Sequence, residues 1–165
     1  SDASEEVLAV ARRNVGDRID IAVDRYDALA VPLPDRAVDI VLCSLTLHHF
    51  EPTEAVRLLR EMHRLGRRGF ILNDIARSAP GWAVAWAASR LATRNRLTRH
   101  DMPLSVRRAY APAELRALLA AAGVEGASVT TRPLFRMAAV WRRPISLDGA
   151  LDDAPASHPA TSPSS

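Results

Sequence analysis

Two adjacent histidines, His48 and His49, close the apolar run "AVDIVLCSLTLHHF". Imidazole is the side chain that titrates nearest neutral pH, so such a pair can accept a proton, ligate a metal or simply satisfy backbone groups at a strand end. Metal binding needs convergent nitrogens at about 2.0–2.1 Å. Neighbouring residues point to opposite faces of a strand, or about 100° apart on a helix, so they seldom share one ion. His63 and His100 stand at no recognised metal spacing, and the single cysteine, Cys43, excludes a Cys-based zinc site and an internal disulfide framework. No metal is expected. Cys43 itself lies within the apolar run and reads as a reduced, inert thiol. Proton acceptance, with His49 ahead of His48, stands beside the plainer reading of histidines bonded to a loop.

Further along, Trp82 and Trp86 are one helical turn apart and could wall an apolar or aromatic small molecule. Arg107, Arg108 and Tyr110 offer donors for its anionic or phenolic groups. The plainer reading packs both tryptophans against the domain.

These residues need a scaffold, and 165 residues with 48% apolar and 25% charged side chains suffice for one globular domain. All 22 basic residues are arginine, yet they are scattered, the net charge is only +3 and aromatics make up 5%. Nucleic acid is therefore not expected as a partner. No stretch of about 18 apolar residues and no signal peptide is visible, so neither a membrane partner nor export is expected, and the chain reads as cytoplasmic.

"SEEVLAVARRN" has the capping serine, early acids and late bases of a helix. "RIDIAVDRYDA" alternates like a strand, and "AVDIVLCSLTL" reads as a strand covered on both faces. Pro52 opens a helix with Val56, Leu59 and Met62 as its apolar stripe, stopped by Gly66. "GFILNDIA" reads as a short buried strand, "PGWAVAWAASRLATRN" as an apolar helix, and Pro112 starts a helix carrying Leu115, Leu118 and Leu119 inward. "EGASVTTRP" and "FRMAAVWRR" predict a strand pair. The apolar-poor tail, 146–165, is expected to be disordered. Alternating strands and helices predict an α/β domain with a mostly parallel sheet and helices on both faces.

Four segments in order, "DASEEVLAVARRN", "DALAVPLPDRAVDIVLCS", "LLREMHRLGRRGFILND" and "APAELRALLAAAG", resemble a class I S-adenosylmethionine-dependent methyltransferase. The likeness is to the small-molecule group related to ubiquinone and menaquinone methyltransferases, and it runs from Ser1 to about Arg143. It implies a Rossmann-like fold, residues 1–145 as a partial methyltransferase domain, and a cap over the acceptor at 78–110. It implies S-adenosyl-L-methionine as cofactor, Asp2 on the ribose, Asp27 and the Ala28 N–H on the adenine, and Ser44 beside the methionine part. Trp82, Trp86, Arg107, Arg108 and Tyr110 would then meet a small hydrophobic or aromatic acceptor, methylated at oxygen with His49 or His48 taking the proton. For Asp2 and Asp27 alone, a loop carboxylate in an Asx turn is the plainer alternative.

One expected feature is missing. That family's glycine-rich loop, resembling E-x-G-x-G, follows its first strand, and none of the seven glycines here makes a G-x-G. The first two strands are absent with it. The sequence thus predicts either part of a longer chain or a third strand paired anew with the fourth. A non-catalytic remnant or partner subunit that binds no cofactor is the alternative to an enzyme. A nicotinamide oxidoreductase is disfavoured by the Asp27-Ala28 and Leu-Pro pattern.

Overall fold

The fold is that of a computed structural model, which describes residues 4–16, 18, 20–92 and 106–144. Helix α1 (Glu5–Val15) starts where Ser4 Oγ accepts the Val7 N–H and ends at Gly16, whose N–H donates to Arg12 O. Strand β1 (Val38–Ser44) leads into a 3₁₀ turn, Leu47–His49, and then α2 (Pro52–Leu65). Proline at its first position and a carboxylate from Glu54 on the Glu51 N–H open α2. Its buried stripe is Ala55, Leu58, Leu59, Met62 and Leu65, with Val56 at its margin.

Strand β2 (Gly66–Ile75) follows α2 with no loop and starts three residues earlier than its apolar run suggests. The extra residues are a bulge: Val38 pairs with Gly66 and Ile40 with Gly69. Gly69 sits at φ +151°, and a Cβ there would lie 2.1 Å from the Trp141 carbonyl oxygen. Helices α3 (Ala79–Ala92) and α4 (Pro112–Ala121) precede the hairpin of β3 (Ser128–Arg132) and β4 (Arg136–Arg142). The tail 146–165 and residues 93–105 of the expected cap lie outside the described residues.

The sheet order is β1-β2-β4-β3. β1 and β2 are parallel, while β2–β4 and β4–β3 are antiparallel, so the described sheet is mixed rather than mostly parallel. One face carries Phe70, Leu72, Met137, Ala139 and Trp141 into a core closed by Leu59 and Met62 of α2 and Leu115 and Leu119 of α4. On the other face, Ile40 and Leu42 are 57% and 69% exposed, with Ile71 beside them at 37%. This part of β1 is uncovered among the described residues. There, β1 pairs only with β2, and its outer edge is open.

The strand expected at "RIDIAVDRYDA" is reduced, among its described residues, to an isolated bridge at Arg25. It is not one of the four strands of the sheet among the described residues. A single bridge is not a ladder for the segment's N–H and C=O groups, so alternation alone does not make a strand. No helix among the described residues is long and apolar enough to cross a membrane.

Candidate active site

The carboxyl ends of β1 and β2 lie side by side, with Ser44 opposite Asn73. Asn73 Nδ2 donates to Ser44 Oγ at 3.1 Å, and the Leu45 N–H donates to the Asn73 carbonyl at 2.9 Å. Leu45 then takes a left-handed conformation at φ 56°, which costs a non-glycine residue about 1–3 kcal/mol. This sharp turn folds the chain over the end of β2 as the 3₁₀ turn, and His48 falls into the interior.

His48 is 7% exposed and its partner Asp74 only 1%. His48 Nδ1 lies 2.7 Å from Asp74 Oδ1. The His48 backbone N–H donates to Asp74 Oδ2 at 3.2 Å, and the Ile75 N–H donates to Oδ1 at 2.6 Å. Burial pushes the Asp74 carboxyl up, but the hydrogen bonds from His48 and Ile75 outweigh it and hold the group below its ordinary value. The carboxylate is therefore ionised at neutral pH and acts only as an acceptor, so His48 Nδ1 is the donor in this contact.

The His49 ring lies against His48, with centroids 4.1 Å apart and planes tilted by 40°. Adjacent histidines were expected to diverge; Asp74 draws one ring inward and the exposed neighbour lies over it. Burial, then the neighbouring His48 and Arg108, lower the His49 pKa against the opposing pull of Asp74. His63, edge-on to Trp141 at 4.3 Å, is lowered by burial and by Arg143. For both, the unfolded chain binds protons more readily than the folded one. Stability should hold above the ordinary histidine value near 6.5 and decline as the pH falls through it. Urea midpoints measured from pH 8 to pH 5 check this, and a flat or rising profile on acidification would contradict it.

The other expected site residues are spread more widely. Ser44 is exposed at the strand end, with its hydroxyl held by Asn73. Trp82 and Trp86 are 39% and 41% exposed on α3. Arg107 and Arg108 are exposed on the turn before α4, and the charge of Arg108 reaches His49. Tyr110 does not present its hydroxyl to an open site: it donates to the Phe50 carbonyl at 2.7 Å, tying this segment to the start of α2. That placement corrects the reading of Tyr110 as a donor to an acceptor molecule.

Asp27 is in the Asx turn considered above, with Oδ1 accepting the Leu29 N–H at 2.9 Å. The turn exposes its carboxylate, and the half-buried Ala28 N–H makes no hydrogen bond among the described residues. Both groups fit an adenine edge, which offers one amino donor and ring-nitrogen acceptors. Asp2 lies outside the described residues, and the chain has no G-x-G to cradle a methionine part. The fit is to one end of the cofactor.

A wide apolar groove between α2 and α4 is lined by Pro52, Val56, Leu118 and, of the expected site residues, Tyr110. Its charged residues are engaged: Arg60 donates to the Ala121 carbonyl, and Glu114 pairs with Arg77 and the Ala111 N–H. No group of three or more His, Cys, Asp or Glu side chains able to hold a metal gathers among the described residues.

Residues 1–69 match a family described as a methyltransferase domain. The fold is similar to that of a SAM-dependent methyltransferase from Aquifex aeolicus, at 16% identity and a TM-score of 0.57, covering 85% of this chain and 65% of that one. Human N-acetylserotonin methyltransferase in complex with SAM is similar at 17% identity and a TM-score of 0.59, over 86% of this chain and 39% of that one. A Rhodobacter sphaeroides protein provisionally described as a Zn-dependent alcohol dehydrogenase is similar at 15% identity and a TM-score of 0.60, over 86% and 73%. No curated protein matches the chain significantly in sequence. The chain spans 65% of the Aquifex chain and 39% of the human one, and at these identities the likeness shows the fold.

Proposed function

We propose that this chain, which has the Rossmann-like fold of the class I S-adenosylmethionine-dependent methyltransferases, is part of an enzyme that methylates a small hydrophobic or aromatic acceptor at oxygen. The observation that carries the reading is the His48–Asp74 pair at the carboxyl ends of two parallel strands, where ligands bind in open α/β sheets. When bound, the cofactor supplies an electrophilic methyl group on a sulfonium sulfur. The chain's own part is to hold donor and acceptor in line and to remove the acceptor's proton.

In this reading Asp27 accepts from the adenine amino group and the Ala28 N–H meets a ring nitrogen. Ser44 stands beside the methionine part and Asp2 on the ribose hydroxyls. Residues 78–110 form a cap, with Trp82 and Trp86 walling the acceptor and Arg107 and Arg108 facing its polar groups. His48 or His49 takes the proton.

One observation favours a second reading, a non-catalytic methyltransferase-like partner: no pair of the chain's glycines makes a G-x-G. Calorimetric titration with S-adenosylhomocysteine separates the two. The enzyme reading expects binding, weakened about tenfold by Asp27→Ala through loss of a hydrogen bond to a charged group. An absence of measurable heat with the unsubstituted protein would leave the partner reading.

A further inference from the structure

The loop at 31–36 is neither helix nor strand, yet two side chains of α2 grip it at several backbone atoms. Val31 has both backbone groups taken: its N–H donates to Glu61 Oε2 at 3.3 Å, and its carbonyl accepts from Arg64 Nη2 at 3.0 Å. Arg64 Nη1 donates to the Leu33 carbonyl at 2.7 Å and to Asp35 Oδ1 at 3.0 Å. We propose that the Glu61–Arg64 pair is a positioning clamp for the turn at 27–30, setting its exposed edge for the adenosine end of the cofactor. The inference rests on the methyl-transfer reading for its ligand, while the contacts themselves do not depend on it.

The pair reaches the turn through the chain. The turn is closed on itself: the Leu29 N–H donates to Asp27 Oδ1 at 2.9 Å, and the Ala30 N–H to the Asp27 carbonyl at 3.1 Å. Ala28 and Leu29 pack against the core, and upstream of them Arg25 makes a bridge. Val31 is the next residue downstream, so holding both of its backbone groups fixes that end of the turn. Pro32 and Pro34 follow, each with φ locked by its ring, which leaves little slack between the gripped points. At the far end Arg36 takes a left-handed φ of 57°, and its N–H donates to the Arg64 carbonyl at 2.9 Å. Arg64 thus holds the loop by its side chain at Val31 and Leu33 and by its backbone at Arg36.

The grip depends on shape as well as charge. Arg64 Nε and Nη2 meet the two Glu61 oxygens at 3.0 and 2.8 Å, a two-pronged contact that a guanidinium makes while still reaching two carbonyls. The Arg64 bonds hold the Glu61 carboxyl below its ordinary value against the effect of burial, so it stays ionised. An arginine in the last turn of α2 also suits the helix dipole, a role for which charge suffices. The two roles separate at lysine, which keeps the charge and loses the fork.

The test is calorimetric titration of S-adenosylhomocysteine and of adenosine into the full chain and its Arg64→Met, Arg64→Lys and Glu61→Gln variants. Amide hydrogen exchange at Val31, Leu33 and Arg36 is read on the same samples, with urea midpoints as the control for folding. Both ligands should bind Arg64→Met about tenfold more weakly, as when the competent loop falls to about a tenth of the population. The three loop amides should exchange faster while those of β2 keep their rates. Arg64→Lys should behave like Arg64→Met. Glu61→Gln keeps an acceptor for the Val31 N–H but loses the charge that holds the fork, and should fall between; it carries the comparison if Arg64→Met does not fold. Unchanged affinity in folded Arg64→Met would overturn the proposal, and so would full rescue by Arg64→Lys. A loss for S-adenosylhomocysteine without one for adenosine would move the effect to the other end of the cofactor and overturn it as well. If neither ligand binds the unsubstituted protein, the methyltransferase reading itself fails and takes the clamp's role with it.

Discussion

In the proposed reaction, methyl transfer to a phenolic acceptor is expected to fall about 10²–10⁴-fold on replacing His48 with alanine, the range that removal of a well-placed general base produces. The same change at His49 should cost less than about tenfold, because that ring lacks a carboxylate behind it. S-adenosylhomocysteine formed per minute is the measurement, with its calorimetric affinity as the control for folding. The order of the two effects matters more than their size. A larger loss at His49 would reverse the assignment and return to the expectation drawn from sequence, which placed His49 first. Proton acceptance requires a free lone pair in contact with the acceptor and a stable place for the charge that results. The structure supplies the second requirement most directly to His48, whose Nδ1 lies 2.7 Å from Asp74 Oδ1.

The largest expected effect on stability is at Gly69. Its φ of +151° is one that side chains rarely adopt, and an added Cβ would stand 2.1 Å from the Trp141 carbonyl oxygen and 3.1 Å from the Arg142 Cα. Both obstacles are backbone of the neighbouring strand, so relief requires β2 and β4 to part. Gly69→Ala should destabilise the protein by about 3 kcal/mol, at the upper end of the usual overpacking range. Gly126, at φ +73° with nothing within 4 Å of a Cβ, provides the comparison. Alanine there meets only conformational strain, and about 1 kcal/mol is expected. Urea midpoints for the two variants decide the point: equal losses would mean that the close approach of β2 and β4 is not what the glycine serves.

Most elements were legible because each rests on a local signal. Pro52 and Pro112 mark the starts of α2 and α4, and alternating apolar residues mark the closing hairpin. The failures share a different cause. "RIDIAVDRYDA" has the local pattern of a strand, but a strand is a property of two segments, and among its described residues only Arg25 makes a bridge. The faces of β1 were misjudged in the same way. An apolar run predicts burial on both sides, while among the described residues Leu42 is 69% exposed.

At the site, the histidines were found by type and Asp74 was passed over. It did leave a signal: position 74 continues the inward parity of Phe70 and Leu72, and an acid at an inward strand position needs a partner. Which partner could not be read, because His48 reaches Asp74 only through the left-handed turn at Leu45, and leucine gives no hint of such a conformation. Tyr110 shows the converse. A phenol beside two arginines resembles a binding group, but its hydroxyl finds the Phe50 carbonyl once the segments are brought together.

The strand order also governs how the molecule can assemble. β3 and β4 are joined by a tight turn and can zip together locally, within microseconds for an isolated hairpin. β2 has no such advantage: Gly69 must find Arg142 and Ile75 must find Arg136 across α3, α4 and the whole hairpin. Pairing of that kind pays its loop-closure entropy before any contact returns it, which slows folding. The pairing of the central strand with β4 is therefore committed late, whereas the His48–Asp74 contact, only 26 residues apart in sequence, belongs to the nearer β1–α2–β2 unit.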